Sequence, residues 1–376
     1  MRILFLVYHG FSDHSGISKK IHYQVKGLRE NGHEVRLCYY GFSENGHRCR
    51  YVDGVIIKDY GLGDLAAIRQ RMNYGCIYNY CIREKIEFVY ARSFMNASPW
   101  LVCFFKKLRK AGIISVTEIP TYPYDQEFIS FSWKLKIDQL FRKSLYSQMS
   151  AIVTFSEAER IFGQRTIRIS NGVDFDSIPI HNYHSQGDEI HLVGVAEVHI
   201  WHGFDRLIAG LGEYYKNEKK SKKVFFHIVG GVHDYDMYGE SGKVPGLKTL
   251  IDYYAIQDKV IFHGQLFGEE LDKVFNMCCF AIGSLGRHRS GITYIKTLKN
   301  REYATRGIPF IYSEIDTDFD MMPYVLKADA DESPIEIPKI ISFLENNHFN
   351  PGDIRRTVEH LTWKKQMKRV IDGLAR

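Results

Sequence analysis

Along the whole chain, short apolar runs bounded by turn residues alternate with stretches whose apolar positions recur every three to four residues. That alternation is the pattern of strands feeding helices in a parallel α/β sheet. In the first half it predicts strands over residues 2–8, 33–40, 54–58, 87–92, 113–118 and 151–155. Helices are predicted over Ser18–Glu30, Asp64–Glu84, Ser98–Ala111 and Ser132–Met149. The rhythm restarts at Glu189–Val195 and continues through Lys223–Val229, Val260–His263, Cys279–Leu285 and Ile308–Tyr312. Between the halves, Asp174–Gly187 is polar, aperiodic and contains a proline, as a linker does.

The expected organisation is therefore a doubly wound domain over 1–173, a linker over 174–188 and a second doubly wound domain over 189–352. A terminal segment, 353–376, carries one basic amphipathic helix, Ile354–Leu374, expected to pack back toward the first domain. Two Rossmann-like domains facing each other enclose a cleft, and open α/β sheets bind ligands at the carboxyl ends of their strands. The site is expected there.

Composition agrees with two cores, since 376 residues exceed the ~250 that one core usually serves. With 45% hydrophobic and 25% charged residues the chain is globular in type. No segment approaches the ~18 uncharged apolar residues of a membrane span. The opening MRILFLVYHG reads as a buried strand rather than a signal peptide, so a cytoplasmic protein is expected. Seven cysteines, scattered without paired metal-ligand spacing, indicate neither a disulfide framework nor a zinc site. The net charge of +6 is uneven: residues 1–170 hold 25 Lys+Arg against 15 Asp+Glu, and the remainder is net acidic.

Two segments carry candidate chemistry. In Ser15–Gly16–Ile17–Ser18, Gly16 lets backbone approach a ligand at a helix N-terminus, although any βα turn can hold a glycine. No G-x-G-x-x-G follows the first strand, which argues against a nicotinamide-binding first domain. The second segment runs from Thr297 to Pro309. Thr297 is an N-cap, Leu298 to Arg306 a short helix, and Gly307 its C′ residue. Free amides near Lys299 suit a pyrophosphate, and Glu302, on the same face as Lys299, suits ribose hydroxyls. The competing reading pairs Glu302 with Arg306 one turn later.

Glu302–Tyr303–Ala304–Thr305–Arg306–Gly307–Ile308–Pro309 resembles the second half of the E-x7-E signature of retaining family-4 glycosyltransferases. Gly16–Ile17 with Asn31–Gly32–His33–Glu34–Val35, Phe155–Ser156–Glu157 and Asn171–Gly172–Val173–Asp174 are similar to further landmarks of that family, in the right order over nearly the whole chain. The resemblance implies a GT-B-like α/β fold of two facing Rossmann-like domains with an inter-domain cleft. It also implies transfer of a sugar, with retention, from a UDP- or GDP-linked donor to a hydroxyl of a saccharide or lipid-linked acceptor, as in surface polysaccharide synthesis. No cofactor or metal is implied.

This sequence departs from the family at Tyr294, where the first glutamate is expected, and Ser290–Gly291–Ile292 stands near the missing glycine pair. The family's basic loop after the first strand of the second domain is here Gly194–Val195 and Trp201–His202–Gly203, leaving only His202 to meet a phosphate. Arg287, His288, Arg289 and Lys299 are therefore expected to carry the diphosphate charge, with Arg289 and Lys299 catalytic. Glu118 stands where the family often has an acceptor-facing histidine and is the third catalytic candidate, with an ordinary loop carboxylate as its competing reading. Asp-x-Asp occurs at Asp174/Asp176, Asp234/Asp236, Asp316/Asp318 and Asp329/Asp331, too often in an acidic half to indicate a metal.

The basic first half gathers Lys106, Lys107, Arg109 and Lys110 with Trp100, Phe104 and Phe105, and Trp133, Lys134, Lys136, Phe141, Arg142 and Lys143 into mixed groups. They suit an anionic membrane, at its inner face, or a lipid-diphosphate acceptor; two amphipathic helices with solvated lysines are the alternative. Nucleic acid is not expected, since no binding module accompanies the charge. A sugar-nucleotide epimerase of the same fold and a non-catalytic nucleotide-sugar-binding protein stay open beside the transferase.

Overall fold

A computed structural model describes residues 1–375 apart from 12–15, 124–132, 184–186, 217–220, 233–236 and 240–241. The chain forms two compact units, Met1–Asn171 together with Thr362–Arg376, and Gly172–Leu361.

The first unit runs β1 (Arg2–Leu6), α1 (Gly16–Glu30), β2 (Glu34–Phe42), β3 (Arg48–Val52), β4 (Val55–Gly61), α2 (Gly63–Met72), α3 (Gly75–Arg83), β5 (Phe88–Arg92), α4 (Pro99–Lys110), β6 (Ile114–Ile119), α5 (Trp133–Tyr146), β7 (Ala151–Thr154), β8 (Arg160–Ile161) and β9 (Gln164–Arg168). Its sheet has the order β4-β3-β2-β1-β5-β6-β7-β9-β8. The stretch from β2 to β9 is parallel, and β3, β4 and β8 join antiparallel at the edges.

Why β1 is an unbroken apolar run follows from its place at the centre. Leu4 and Leu6 pack on one face with Val89 and Phe105, while Ile3, Phe5 and Val7 pack on the other with Ile21, Val25 and Leu28 of α1. A strand covered on both faces has no side that tolerates polarity. The second face is completed by Trp363, Met367 and Val370 of the terminal helix, Trp363–Leu374. A Cβ on Gly27 would stand 2.7 Å from the Trp363 carbonyl carbon, so α1 and the terminal helix approach backbone to backbone. Asn31 Nδ2 donates to Lys364 O at 2.8 Å, and Gln366 Oε1 accepts from Ser170 N at 2.8 Å.

Strands β8 and β9 were not expected from the pattern, and three further local differences have clear causes. The helix expected over Asp64–Glu84 breaks into α2 and α3 because Asn73, in extended conformation, accepts the Gly75 N–H on its own side chain. Strand β3 was not expected, since its arginines obscure the apolar alternation. Arg50 is nevertheless fully buried, stacked 3.2 Å from the Tyr40 ring centroid and donating to Val7 O. The helix expected over Ile354–Leu374 is three pieces, because Thr362 caps a new helix by accepting from Lys365 N.

The second unit runs β10 (Glu189–Val195), α6 (Phe204–Lys216), β11 (Lys223–Val229), β12 (Met237–Gly239), β13 (Gly242–Val244), α7 (Leu247–Tyr254), β14 (Val260–Gly264), α8 (Gly268–Met277), β15 (Phe280–Ile282), α9 (Leu298–Arg306), β16 (Phe310–Tyr312), β17 (Val325–Lys327), α10 (Ile337–Asn346) and α11 (Pro351–Thr357). Six parallel strands are ordered β14-β11-β10-β15-β16-β17, with β12 and β13 as a separate antiparallel pair. Chain order reverses between β10 and β15, the switch point at which such sheets open a crevice. Residues 175–181 of the expected linker lie against this unit: Arg355 donates to Phe175 O and Ile178 O, and His181 N to Arg306 O. Among the described residues no helix is long and apolar enough to cross a membrane.

One polar row crosses this apolar sheet. His191 Nδ1 and His227 Nε2 lie 2.8 Å apart, as do His227 Nδ1 and His263 Nε2. Burial and the flanking imidazoles push His227 down to about 4. A lowered histidine binds its proton in the unfolded chain first, so stability is lost as pH falls from ~6.5 toward 4, by roughly 2–3 kcal/mol. Thermal melts over that range are expected to show this loss, with a shallower slope in His227→Gln.

Candidate functional site

The candidate site is built from the loops that follow β10 and β15 and from the N-terminus of α9, on either side of the switch point. The β10 loop ends in a 3-10 turn, Ile200–His202, closed by Gly203 at φ 63°. The β15 loop folds onto it: Leu285 N donates to His202 O at 2.9 Å and Gly286 N to Trp201 O at 3.2 Å. A Cβ on Gly203 would sit 2.6 Å from the Leu285 carbonyl carbon, so both conformation and contact demand glycine here. Gly194, in contrast, faces the core, where a Cβ would meet Phe204 at 2.6 Å.

His202 is buried, and its Nδ1 accepts the His199 N–H at 2.9 Å. Burial first, then Lys299 and Arg287, hold it far below the ordinary histidine value. The imidazole is neutral with its proton on Nε2, a donor without added charge.

Two arginines in the next loop part company. Arg289 is a brace: Nε donates to Glu332, Nη1 to Ile200 O and Asp205, and Nη2 to Asp205 and Glu332. Its guanidinium is buried with every nitrogen engaged by protein, so the catalytic place expected for it is occupied by a structural network. Arg287 lies 5.5 Å from the Trp201 ring centroid and exerts its charge on Lys299, His202 and Glu314. His288 Nε2 lies 2.9 Å from Glu332, and Gly291 closes the turn at φ 64°.

Helix α9 spans the segment read from the sequence. Thr297 caps it by accepting from Asn300 N, Leu298 is part-exposed, and Gly307 ends it at φ 80° with Pro351 O only 2.3 Å from a would-be Cβ. The Lys299 ammonium is buried and has no hydrogen-bond partner among the described residues. Burial and Arg287 pull it well below the ordinary lysine value, while Glu314 acts in the opposite sense. Glu302 is engaged as the plainer reading had it: its Oε1 accepts from Arg306 Nε at 3.0 Å and Nη2 at 2.9 Å.

Tyr294 does not substitute for a carboxylate. Its backbone pairs with Ile315 and its hydroxyl lies 3.1 Å from Thr317 Oγ1. That pairing brings in a residue the sequence reading missed, Glu314, which is 1% exposed. Burial raises its carboxyl, against the pull of Arg287 and Lys299. The available signal was positional: an acid two residues past the apolar run of β16, at the carboxyl end of a strand. The neighbouring Asp316 and Asp318 bind the buried Arg301, and Asp331 binds Arg206. Asp234 and Asp236 lie outside the described residues, as do the side chains of Trp133 and Lys134.

Gly16 and Glu118 belong to the first unit. Gly16 opens α1 with no atom within 4 Å of a would-be Cβ. Glu118, at the end of β6, is fully buried with Lys20 Nζ at 3.2 Å, and it accepts from Tyr90 Oη at 2.6 Å and Gln24 Nε2 at 2.5 Å. Burial would raise its carboxyl, but Lys20 and Arg92 prevail and it stays ionised. On α4, Phe104 and Phe105 are core while Lys106, Lys107, Arg109 and Lys110 face outward. A cavity of about 600 Å³ beside them is lined by Trp100, Tyr78, Lys58, Arg69 and Lys107.

No protein-family model matches this chain, and no curated protein sequence matches it. Solved structures do. A glycosyltransferase from Rickettsia africae superposes with a TM-score of 0.63 at 12% identity, over 99% of this chain and 97% of that one. The catalytic domain of starch synthase IV from Arabidopsis thaliana, bound to ADP and acarbose, gives 0.58 at 10% identity over 100% and 98%. A trehalose-6-phosphate synthase, studied for glycosyl transfer with retention, gives 0.60 at 9% identity over 100% and 99%. At such identities the likeness is one of fold: the chain has the two-domain, Rossmann-like GT-B architecture.

The two arginines are separable by experiment. Arg289→Leu strips partners from Asp205 and Glu332 and is expected to cost about 2–3 kcal/mol in chemical denaturation. Arg287→Leu is expected to change stability by less than half of that.

Proposed function

We propose that this protein is a glycosyltransferase that moves a sugar from a UDP- or GDP-linked donor to a hydroxyl of a saccharide or lipid-linked acceptor, with retention. The observation that carries this is the buried Lys299 ammonium at the N-terminus of α9, without a hydrogen-bond partner among the described residues, beside Arg287 and the neutral His202 Nε2–H. A diphosphate supplies the acceptor that the Lys299 ammonium does not find among the described residues, and helix-terminal amides add a positive potential at the same place. The ADP bound to the starch synthase and the retention studied in the trehalose-6-phosphate synthase support the donor class and stereochemistry.

Catalysis is electrostatic on this reading. Charge grows on the diphosphate as the glycosidic bond breaks, and Lys299, Arg287 and His202 are fixed in advance where it grows. The two cations neutralise it without a metal. Glu302 receives the ribose hydroxyls on Oε2, its Oε1 being held by Arg306. Glu118, locked to Lys20 and Arg92, is a positioning residue of the first unit. The basic face of α4 and the aromatic cavity beside it fit an anionic acceptor at the inner face of a membrane, in surface polysaccharide or glycoconjugate synthesis.

Calorimetry with UDP and GDP tests the site. One of them is expected to bind, and Lys299→Met to weaken it about 10- to 100-fold. Because Lys299 is depressed in the free protein and an anion restores its proton, binding is expected to take up protons at pH 8 and to weaken as pH rises above neutral. Failure of both nucleotides to bind would overturn the assignment, and loss of transfer in a chelator would overturn the metal-free route.

A further inference from the structure

Three buried side chains near Lys299 present polar oxygens with no hydrogen-bond partner among the described residues. Glu314, 1% exposed, offers Oε2 from the end of β16. Asn300, fully buried in the first turn of α9, offers Oδ1. Ser284, fully buried just beyond β15, offers Oγ. They are one cluster: Asn300 Nδ2 donates to Glu314 Oε1 at 3.4 Å, and Ser313 N, next to Glu314, donates to Ser284 O at 2.9 Å. Because Asn300 Nδ2 is spent on Glu314 and on Asp316 Oδ2, its carbonyl oxygen is the end left for something else.

The two acceptors of this set, Glu314 Oε2 and Asn300 Oδ1, do not suit phosphate as their partner. Ionised phosphate oxygens accept and do not donate, so they leave Glu314 Oε2 and Asn300 Oδ1 as bare as before. A sugar hydroxyl donates, and its own oxygen can then accept from Lys299 or Ser284. Buried acceptors without donors are costly, which is the reason such groups point to a ligand rather than to packing.

We propose that Glu314, with Asn300 and Ser284, reads the hydroxyls of the donor's sugar, so that the strand extension after β16 supplies the carboxylate that the resemblance places at Tyr294. This rests on the nucleotide-sugar reading above. The backbone supports the exchange, because Tyr294 pairs with Ile315, the residue next to Glu314, and its own hydroxyl is turned to Thr317.

The test compares the better-binding nucleoside diphosphate with its hexose adduct, and with adducts lacking one sugar hydroxyl, on wild type and Glu314→Gln. Expected is a loss of about tenfold or more for the hexose adduct in Glu314→Gln, with nucleoside diphosphate affinity within threefold or tighter. For one deoxy adduct the substitution should make no further difference, which identifies the hydroxyl read. Ser284→Ala, which removes an oxygen with no hydrogen-bond partner among the described residues, gives a second measurement if Glu314→Gln does not fold; a loss confined to the hexose adduct is expected. Equal losses for nucleotide and adduct would make Glu314 a counter-ion of Lys299 and overturn this proposal while leaving the nucleotide site standing. A wild type that binds neither would overturn both.

Discussion

A parallel strand covered by helices on both faces leaves little room for a polar side chain along its length, so polarity is driven toward its ends. In the second unit Leu192, Phe226, Ile228 and Ile282 fill one face of the sheet, and Val193, Val229, Ala281 and Phe310 the other. Apart from the His191–His227–His263 row, the candidate chemistry collects where the strands stop: His202 after β10, Ser284 and Arg287 after β15, Glu314 after β16. The reversal of chain order between β10 and β15 decides which of those ends face one another. The site is a consequence of the core more than an addition to it.

Within that frame, charge is sorted by what each group can reach. Arg289 meets two carboxylates and a carbonyl and spends itself on holding the loop. Lys299 finds no hydrogen-bond partner among the described residues, and its burial and Arg287 press it to lose its proton. Glu314 is under the opposite pressure in the same neighbourhood. Such a pair is poised, since either an anion beside the lysine or a donor beside the carboxyl relieves it.

The sequence made legible what depends on local pattern. Runs such as Ile3–Val7 announce strands buried on both faces, and Thr297 with Gly307 marks both ends of α9. What it hid depends on distant partners. Arg287 and Arg289 are two residues apart and chemically alike, and only the fold of the 3-10 turn gives one to Asp205 and Glu332. Arg50 reads as surface until Tyr40 and Val7 are found around it. Asn73 and Thr362 look like ordinary helix residues until their side chains are seen ending or starting a helix. Glu314 needed the parallel pairing of Tyr294 with Ile315 to become visible.

The terminal helix has a bearing on biogenesis. The first unit begins the chain but cannot finish its own hydrophobic face, because Trp363, Met367 and Val370 emerge only after the whole second unit has been made. During synthesis the face formed by Ile21, Val25 and Leu28 must wait through some 190 residues of Gly172–Leu361, all of which can complete their own sheet in the meantime. The order of maturation is thus the reverse of the order of synthesis: the inserted unit closes first, and the earlier unit is sealed by Trp363, Met367 and Val370, which are made after it.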